Sequence, residues 1–292
     1  MVHRVVPENI VQEVYSIIRR KNLKLWGKQK NQRNFLNRLL YVTLFKDTQG
    51  CGYAELKNRI KDIPISVGTL QRNIQIMRDE LEQWALTKID VGDEFAWERS
   101  MKNFKRGKFV KNVNLFIDST DFRLKGKRST STSHQSWSFK KNGPAQRYMC
   151  VFNGKSRVIH ISRGYSPKIY DGEYLKIMRD TLEDKLNGGC VCGDTHFEEG
   201  KKIFKNVEFV TTISKPRGRK KRARKDQENT PVKLTKEQET INSQIRSIRG
   251  NVESPFGLIS NRFKSLEVWN EGEQQQDSLV LFAMVLMGLK EN

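Results

Sequence analysis

The stretch "VNLFIDSTDFRL", Val113 to Leu124, decides how this chain folds. Val113, Leu115 and Ile117 alternate, and Phe116 makes the run apolar on its second face too. Such a run suits a strand buried on both sides. The pattern predicts that the strand ends at Asp118, leaving a carboxylate at the sheet margin. Two more strand candidates follow, "RYMCVFN" (147–153) and "SRVIHISRG" (156–164). "DGEYLKIMRDTLEDKL" (171–186) reads as one helix, with Tyr174, Leu175, Met178, Leu182 and Leu186 on its apolar face. Asp171 stands where a capping residue would. "GGCVCGD" (188–194) reads as a short strand ending at Asp194, and "VEFVTTI" (207–213) as another. A long helix is expected over about 235–263. This order predicts an α/β fold, a mixed sheet with helices packed on it.

Upstream, residues 1–100 read as helical. "NFLNRLLYVTLF" (34–45) repeats apolar residues at the spacing of one helix face. Further on, two helical patterns flank "KDIP" (61–64). In the second, Val67, Leu70, Ile74, Met77, Leu81 and Trp84 form an inward stripe, Ser66 is placed as N-cap, and Thr69, Arg72 and Asn73 lie opposite. This is the pattern of a helix-turn-helix, in which Arg72 would read guanine and Asn73 adenine in the major groove. An ordinary helical hairpin would look the same. Residues 101–112 form a basic linker. Residues 113–270 make the second domain, and 271–292, with the apolar run Leu279 to Leu289, a buried C-terminal helix.

The chain of 292 residues carries 54 Lys and Arg against 33 Asp and Glu, a formal charge of +21. Such an excess points to a polyanionic partner, nucleic acid by default and a membrane surface as the competitor. The longest apolar run is about half of a membrane span, so no span is expected. The N-terminal residues lack the apolar core of a secretory signal. Four cysteines (Cys51, Cys150, Cys190, Cys192) are sparse for a disulfide framework and suit a reducing compartment. Cys190 and Cys192 read as small strand residues. The run "KPRGRKKRARK" (215–225) lies in a basic loop, 215–233, that includes Arg217, Arg219, Lys220, Lys221 and Arg222. It binds phosphates, serves as a nuclear import signal, or is simply solvated.

Three acids stand out. Asp118 and Asp194 would share a sheet edge if their strands are neighbours, and Glu253 sits in "RGNVESPFGLISNRF" (249–263) on the long helix. Converging carboxylates repel one another, and hard oxygen donors suit Mg²⁺ or Mn²⁺. Two such ions activate a water or 3′-hydroxyl for in-line attack on phosphorus. Spacing alone is equally compatible with three unrelated surface acids. On this helix Val252, Phe256 and Ile259 should face the sheet. Gly257 should permit close backbone approach, and Pro255 should distort the helix.

The order and contexts of these acids resemble DDE transposases of the PIF/Harbinger type, relatives of certain bacterial insertion-sequence transposases. "FIDST" (116–120), "RGYSPKIYDGEYL" (163–175) and the Glu253 stretch carry the resemblance, which covers the chain from about residue 30. Arg249, Glu253, Phe256, Gly257, Arg262 and Phe263 match the last motif. The turn "GDTHFEEG" (193–200) departs from the small residue, Gly and Tyr usual after the second aspartate, and Glu198 and Glu199 are fallback ligands. The resemblance implies an RNase H-like fold and an Mg²⁺- or Mn²⁺-dependent endonuclease with two ions held by Asp118, Asp194 and Glu253. Arg249, Arg262 and Lys264 would bind near the scissile phosphate. It further implies strand transfer, double-stranded DNA as partner (element ends and target), a homo-oligomer on DNA, and a Myb-like helper protein. The location would be nuclear in a eukaryote and otherwise cytoplasmic. The competing functions are a domesticated DNA-binding protein without cleavage and a general RNase H-like nuclease.

Overall fold

The structure, a computed structural model, describes residues 5–21, 25, 32–60, 65–89, 113–125, 136–154, 156–214 and 234–290, with side chains at all but 32, 33, 251–254 and 290. The linker at 101–112, the turn at 61–64 and the basic loop from 215 to 233 lie outside the described residues.

The first strand, β1 (Leu115–Arg123), does not stop at Asp118. It continues because β3 (Gly143–Asn153) pairs antiparallel along its whole length, from Leu115 opposite Asn153 to Arg123 opposite Ala145. Its polar second half is satisfied across the strands. Buried Asp121 accepts from Arg147 Nε at 2.7 Å and from the Ser138 hydroxyl at 2.5 Å. On its other side β1 pairs parallel with β5 (Cys190–Gly193), which pairs parallel with β6 (Glu208–Thr211). A two-residue strand, β2 (Trp137–Ser138), and β4 (Val158–Ile161) both pair with β3. This mixed sheet with flanking helices is consistent with the expected RNase H-like fold.

Strand alternation divides the core between the two faces of the sheet. Leu115 and Ile117 join Met149, Val151 and Val191 in a cluster closed by α5 (Asp171–Ile177) and α6 (Arg179–Leu186). The single helix expected over 171–186 is broken at Met178 (φ −90°, ψ 5°), although Tyr174, Leu175, Leu182 and Leu186 are buried as predicted. A one-turn helix, α7 (Gly200–Ile203), is all that separates β5 from β6 besides a 3₁₀ turn at Thr195–Phe197. On the other face Phe116, Cys150, Phe152 and Cys192 meet α8 (Lys236–Arg262) and α9 (Glu273–Lys290).

The predicted long helix, α8, starts with a capping box. Thr235 Oγ1 accepts from the Gln238 N–H, and Gln238 Oε1 accepts from the Thr235 N–H. It runs unbroken through Pro255 to Arg262. Ile245, Ile259 and Phe263 anchor it, and Phe256 meets Phe152 edge-on at 5.6 Å. Among the described residues a Cβ at Gly257 would meet nothing within 4 Å, so they do not make the close approach expected there. The apolar run from Leu279 forms the middle of α9 and is buried as expected. No helix among the described residues is long and apolar enough to cross a membrane.

The N-terminal helices are α1 (Glu8–Arg20), α2 (Gln32–Gln49), α3 (Tyr53–Arg59) and α4 (Val67–Leu86). Ser66 caps α4 as predicted, accepting from the Thr69 N–H at 3.1 Å. The inward stripe runs from Leu70 to Trp84, whereas Val67, in the first turn, is 41% exposed. This layer shares one core with α9, where Trp84 packs against Phe282 at 5.6 Å. Arg78, 1% exposed, pairs with Asp47 of α2 and with Glu271, just ahead of α9. Lys46 and the Tyr53 hydroxyl also reach Glu271, at 2.6 and 2.7 Å. A guanidinium so deeply buried requires such paired carboxylates.

Candidate active site

The β1/β5 register sets the site. Leu115 pairs with Val191 and Phe116 with Cys192, so two further steps bring Asp118 level with Asp194. Asp194 keeps extended backbone (φ −78°, ψ 179°), and neighbouring strands lie about 4.8 Å apart. Gly193 makes the approach possible. A Cβ there would lie 2.9 Å from Ile117 Cγ2 and 3.1 Å from Phe197 Cβ. Asp194 caps the 3₁₀ turn, its Oδ1 accepting from the His196 N–H at 2.8 Å. Asp118 Oδ1 accepts from the Ser119 N–H at 2.8 Å.

Asp118 shares its sheet face with Phe116, the face that α8 crosses. From that helix Arg249 brings a guanidinium nitrogen to 3.9 Å from Asp118 Oδ1. Burial raises the Asp118 carboxyl to about 6. The Ser119 N–H, Arg249 and Lys140 oppose that rise, and Asp194 adds to it. Its carboxylate is therefore held charged at neutral pH against its surroundings.

A further acid, Asp171, lies on the other face of the sheet, the one closed by α5. Asp171 is not the cap of α5; Tyr170 occupies that position and Asp171 is the first helical residue. It is buried, accepts from the Tyr165 hydroxyl at 3.3 Å, and lies 3.7 Å from Arg147 Nη1. Burial raises its carboxyl, the Ser119 hydroxyl and Arg147 lower it, and Asp194 raises it further. Arg147 thus bridges Asp121 and Asp171, and Ser119 touches both acid groups, with its N–H on Asp118 and its hydroxyl on Asp171. Sequence reasoning missed this bridge. Its one signal was an arginine, Arg147, opening an otherwise apolar strand.

Asp118, Asp194 and Arg249 therefore come together. Glu253 lies on α8 one turn beyond Arg249, with its side chain outside the described residues. Arg262 and Lys264 do not join them. Arg262 lies thirteen positions beyond Arg249 on the helix, about 20 Å at helical rise, and its Nη1 meets Met287 of α9 at 3.2 Å. Lys264 pairs with Glu267 at 2.7 Å, next to Gly50. The fallback acids Glu198 and Glu199 are taken up by Lys201, Lys202 and Lys176. On α4, Thr69 and Arg72 lie at the accessible face, but Asn73 is fully buried, which removes it from any base contact. Residues 217–222 lie outside the described residues.

A family model for DDE superfamily endonucleases matches residues 117–287, more than half of the chain. The chain belongs to the DDE superfamily endonucleases. The match begins inside β1 one residue before Asp118 and ends in α9, so it spans every strand and helix that positions the acids. Neither a search of curated proteins nor one of solved structures gave a match.

The donor set of this DDE endonuclease fits a divalent cation. Asp118 on β1 and Asp194 just past the end of β5 lie level with each other, and partial burial disfavours the charge on Asp118, a cost that a cation would relieve. Asp171 is engaged by Arg147, Tyr165 and Ser119 instead. Among the described residues, whose side chains do not include that of Glu253, no group of three or more metal-ligating side chains stands together.

Proposed function

We propose that this endonuclease is a metal-dependent DNA transposase of the PIF/Harbinger type, which cuts element ends and transfers the liberated 3′ ends to target DNA. The observation that carries the reading is the parallel β1/β5 register, which levels Asp118 with Asp194 under a helix that brings Arg249 to the same point. Asp118 and Asp194, joined by Glu253 from α8, would hold two Mg²⁺ or Mn²⁺ ions. When bound, such ions supply an activated water or 3′-hydroxyl and neutralise charge on the leaving oxygen.

The chain's own groups do the rest. Ser119 and His196 donate backbone N–H groups that fix one oxygen each of Asp118 and Asp194. Arg249 offers a guanidinium beside Asp118, placed to receive a phosphate oxygen once a cation takes over the carboxylate. Arg147 pairs with both Asp121 and Asp171 and so offsets one of their two negative charges. The net charge of +21 supports a DNA substrate. We retain α3 and α4 as a helix-turn-helix, with Thr69 and Arg72 as its DNA contacts, and expect a homo-oligomer on DNA.

The test is nicking of supercoiled plasmid in Mg²⁺, with EDTA as control. The full chain should nick, EDTA should stop it, and Glu253→Gln should abolish nicking while plasmid binding persists. Binding without nicking by the unaltered chain would support instead a DNA-binding protein that has lost cleavage. Persistent nicking by Glu253→Gln would remove that acid from the mechanism.

A further inference from the structure

We propose that Phe139 is a stacking platform for an unpaired nucleobase next to the cutting site. This rests on the endonuclease reading for its substrate class and adds a base-binding subsite to it. Phe139 is 90% exposed, and no other exposed large apolar side chain among the described residues exceeds 62%. It sits in the turn joining β2 to β3, flanked by Ser138 on one side and by Lys140 and Lys141 on the other.

The turn is built to be rigid. The Ser138 hydroxyl donates to Asp121 at 2.5 Å, and its oxygen accepts from the Lys141 N–H at 3.1 Å. Asn142 completes the turn in the left-handed region, at φ 47°. Asp121 is itself clamped by Arg147. The turn is therefore pinned to β1 three residues from Asp118, about 10 Å along the strand. Lys140 lies close enough for its charge to act on Asp118.

A rigid turn that holds a phenyl ring in water between hydroxyl and ammonium groups leaves its apolar faces uncovered by the described residues. A nucleobase covers such a face, and the adjoining lysines match the phosphates on either side of that base. A duplex interior keeps its bases stacked on one another. The ring therefore suits a base that is unpaired, at a frayed end or displaced from the helix.

The experiment uses the full chain in EDTA with a short oligonucleotide carrying one 2-aminopurine, a base whose fluorescence is quenched on stacking, as single strand and as blunt duplex. The expected result is quenching with the single strand. Phe139→Ala should lose that quenching and bind the single strand about 5- to 100-fold more weakly, with duplex affinity unchanged. Phe139→Trp should retain both. Equal single-strand affinity for Phe139→Ala and the unaltered chain would overturn the proposal, as would an equal loss on single strand and duplex. Dissociation of an oligomer by Phe139→Ala, with oligonucleotide binding intact, would place the ring between copies of the chain and overturn it too. The readout is binding without metal. Failure of plasmid nicking would therefore sink the endonuclease reading and leave this result standing, and the reverse holds equally.

Discussion

Replacing Asp118 by Asn should make the metal-free protein more stable at neutral pH. Asp118 has its carboxyl raised from the ordinary 3.8 to about 6. A carboxyl that binds its proton more tightly when folded stabilises the fold while protonated, fully below 3.8, and that contribution is lost as pH rises through 6. Each tenfold change in proton affinity is worth about 1.4 kcal/mol, so holding Asp118 ionised in the fold costs about 3 kcal/mol above that range. Asparagine keeps the oxygen that accepts from the Ser119 N–H and sheds the charge. Urea unfolding in EDTA, at pH 4 and pH 7.5, measures the gap between Asp118→Asn and the unaltered chain. The gap should widen in favour of the variant by about 2.4 kcal/mol between those pH values, the remainder having been lost already by pH 4. Mg²⁺ at 100 times its dissociation constant should then stabilise the unaltered chain by about 2.7 kcal/mol and the variant by less. A gap that ignores pH, or a variant less stable at pH 7.5 than at pH 4 relative to its parent, would refute the reasoning.

Arg147→Ala should cost about 3–5 kcal/mol of unfolding free energy, since it strands buried Asp121 without its cation; a loss under about 1 kcal/mol would show that Asp121 is satisfied otherwise. Glu271 is held down to about 2 from 4.5, burial opposing and Arg78 and Lys46 outweighing it. Its stabilisation is therefore present above pH 4.5 and fades as pH falls toward 2. Glu271→Gln should lose about 3 kcal/mol at pH 7 in urea unfolding, and a difference that persists undiminished at pH 2 would contradict that origin. Plasmid affinity should fall by about 10³–10⁵ between 50 and 200 mM salt if six to ten phosphates are contacted, and a flat filter-binding curve would rule out a phosphate-driven interface.

Where neighbouring residues decide the outcome, the sequence was readable. Expected over about 235–263, α8 spans Lys236–Arg262, since a capping box and apolar spacing are both local. β5, expected to end at Asp194, ends one residue earlier at Gly193, because a short apolar run closes there. The second half of β1 was not readable. Its polar residues are made acceptable by Arg147 and Ser138, which only the folded sheet brings near. The break at Met178, the inward turn of Asn73 and the departure of Arg262 toward α9 likewise depend on what packs alongside. Of the site, the two aspartates and Arg249 could be named from motif order. The Asp121–Arg147–Asp171 bridge could not, because it depends on the β1/β3 register that sets Arg147 opposite Asp121 and on α5 packing beside it.

Arg78 finds one partner, Asp47, early in the chain and the other, Glu271, 193 positions later (271 − 78). A ribosome adding roughly 5–20 residues per second needs about 10–40 s to cover that interval. Throughout it Trp84 also lacks Phe282, so the leading helices emerge with their inner faces uncovered. They must be shielded by chaperones or by transient self-contacts until the closing segment arrives. Nascent chains arrested before Glu271 should accordingly be the form most exposed to proteases and to aggregation.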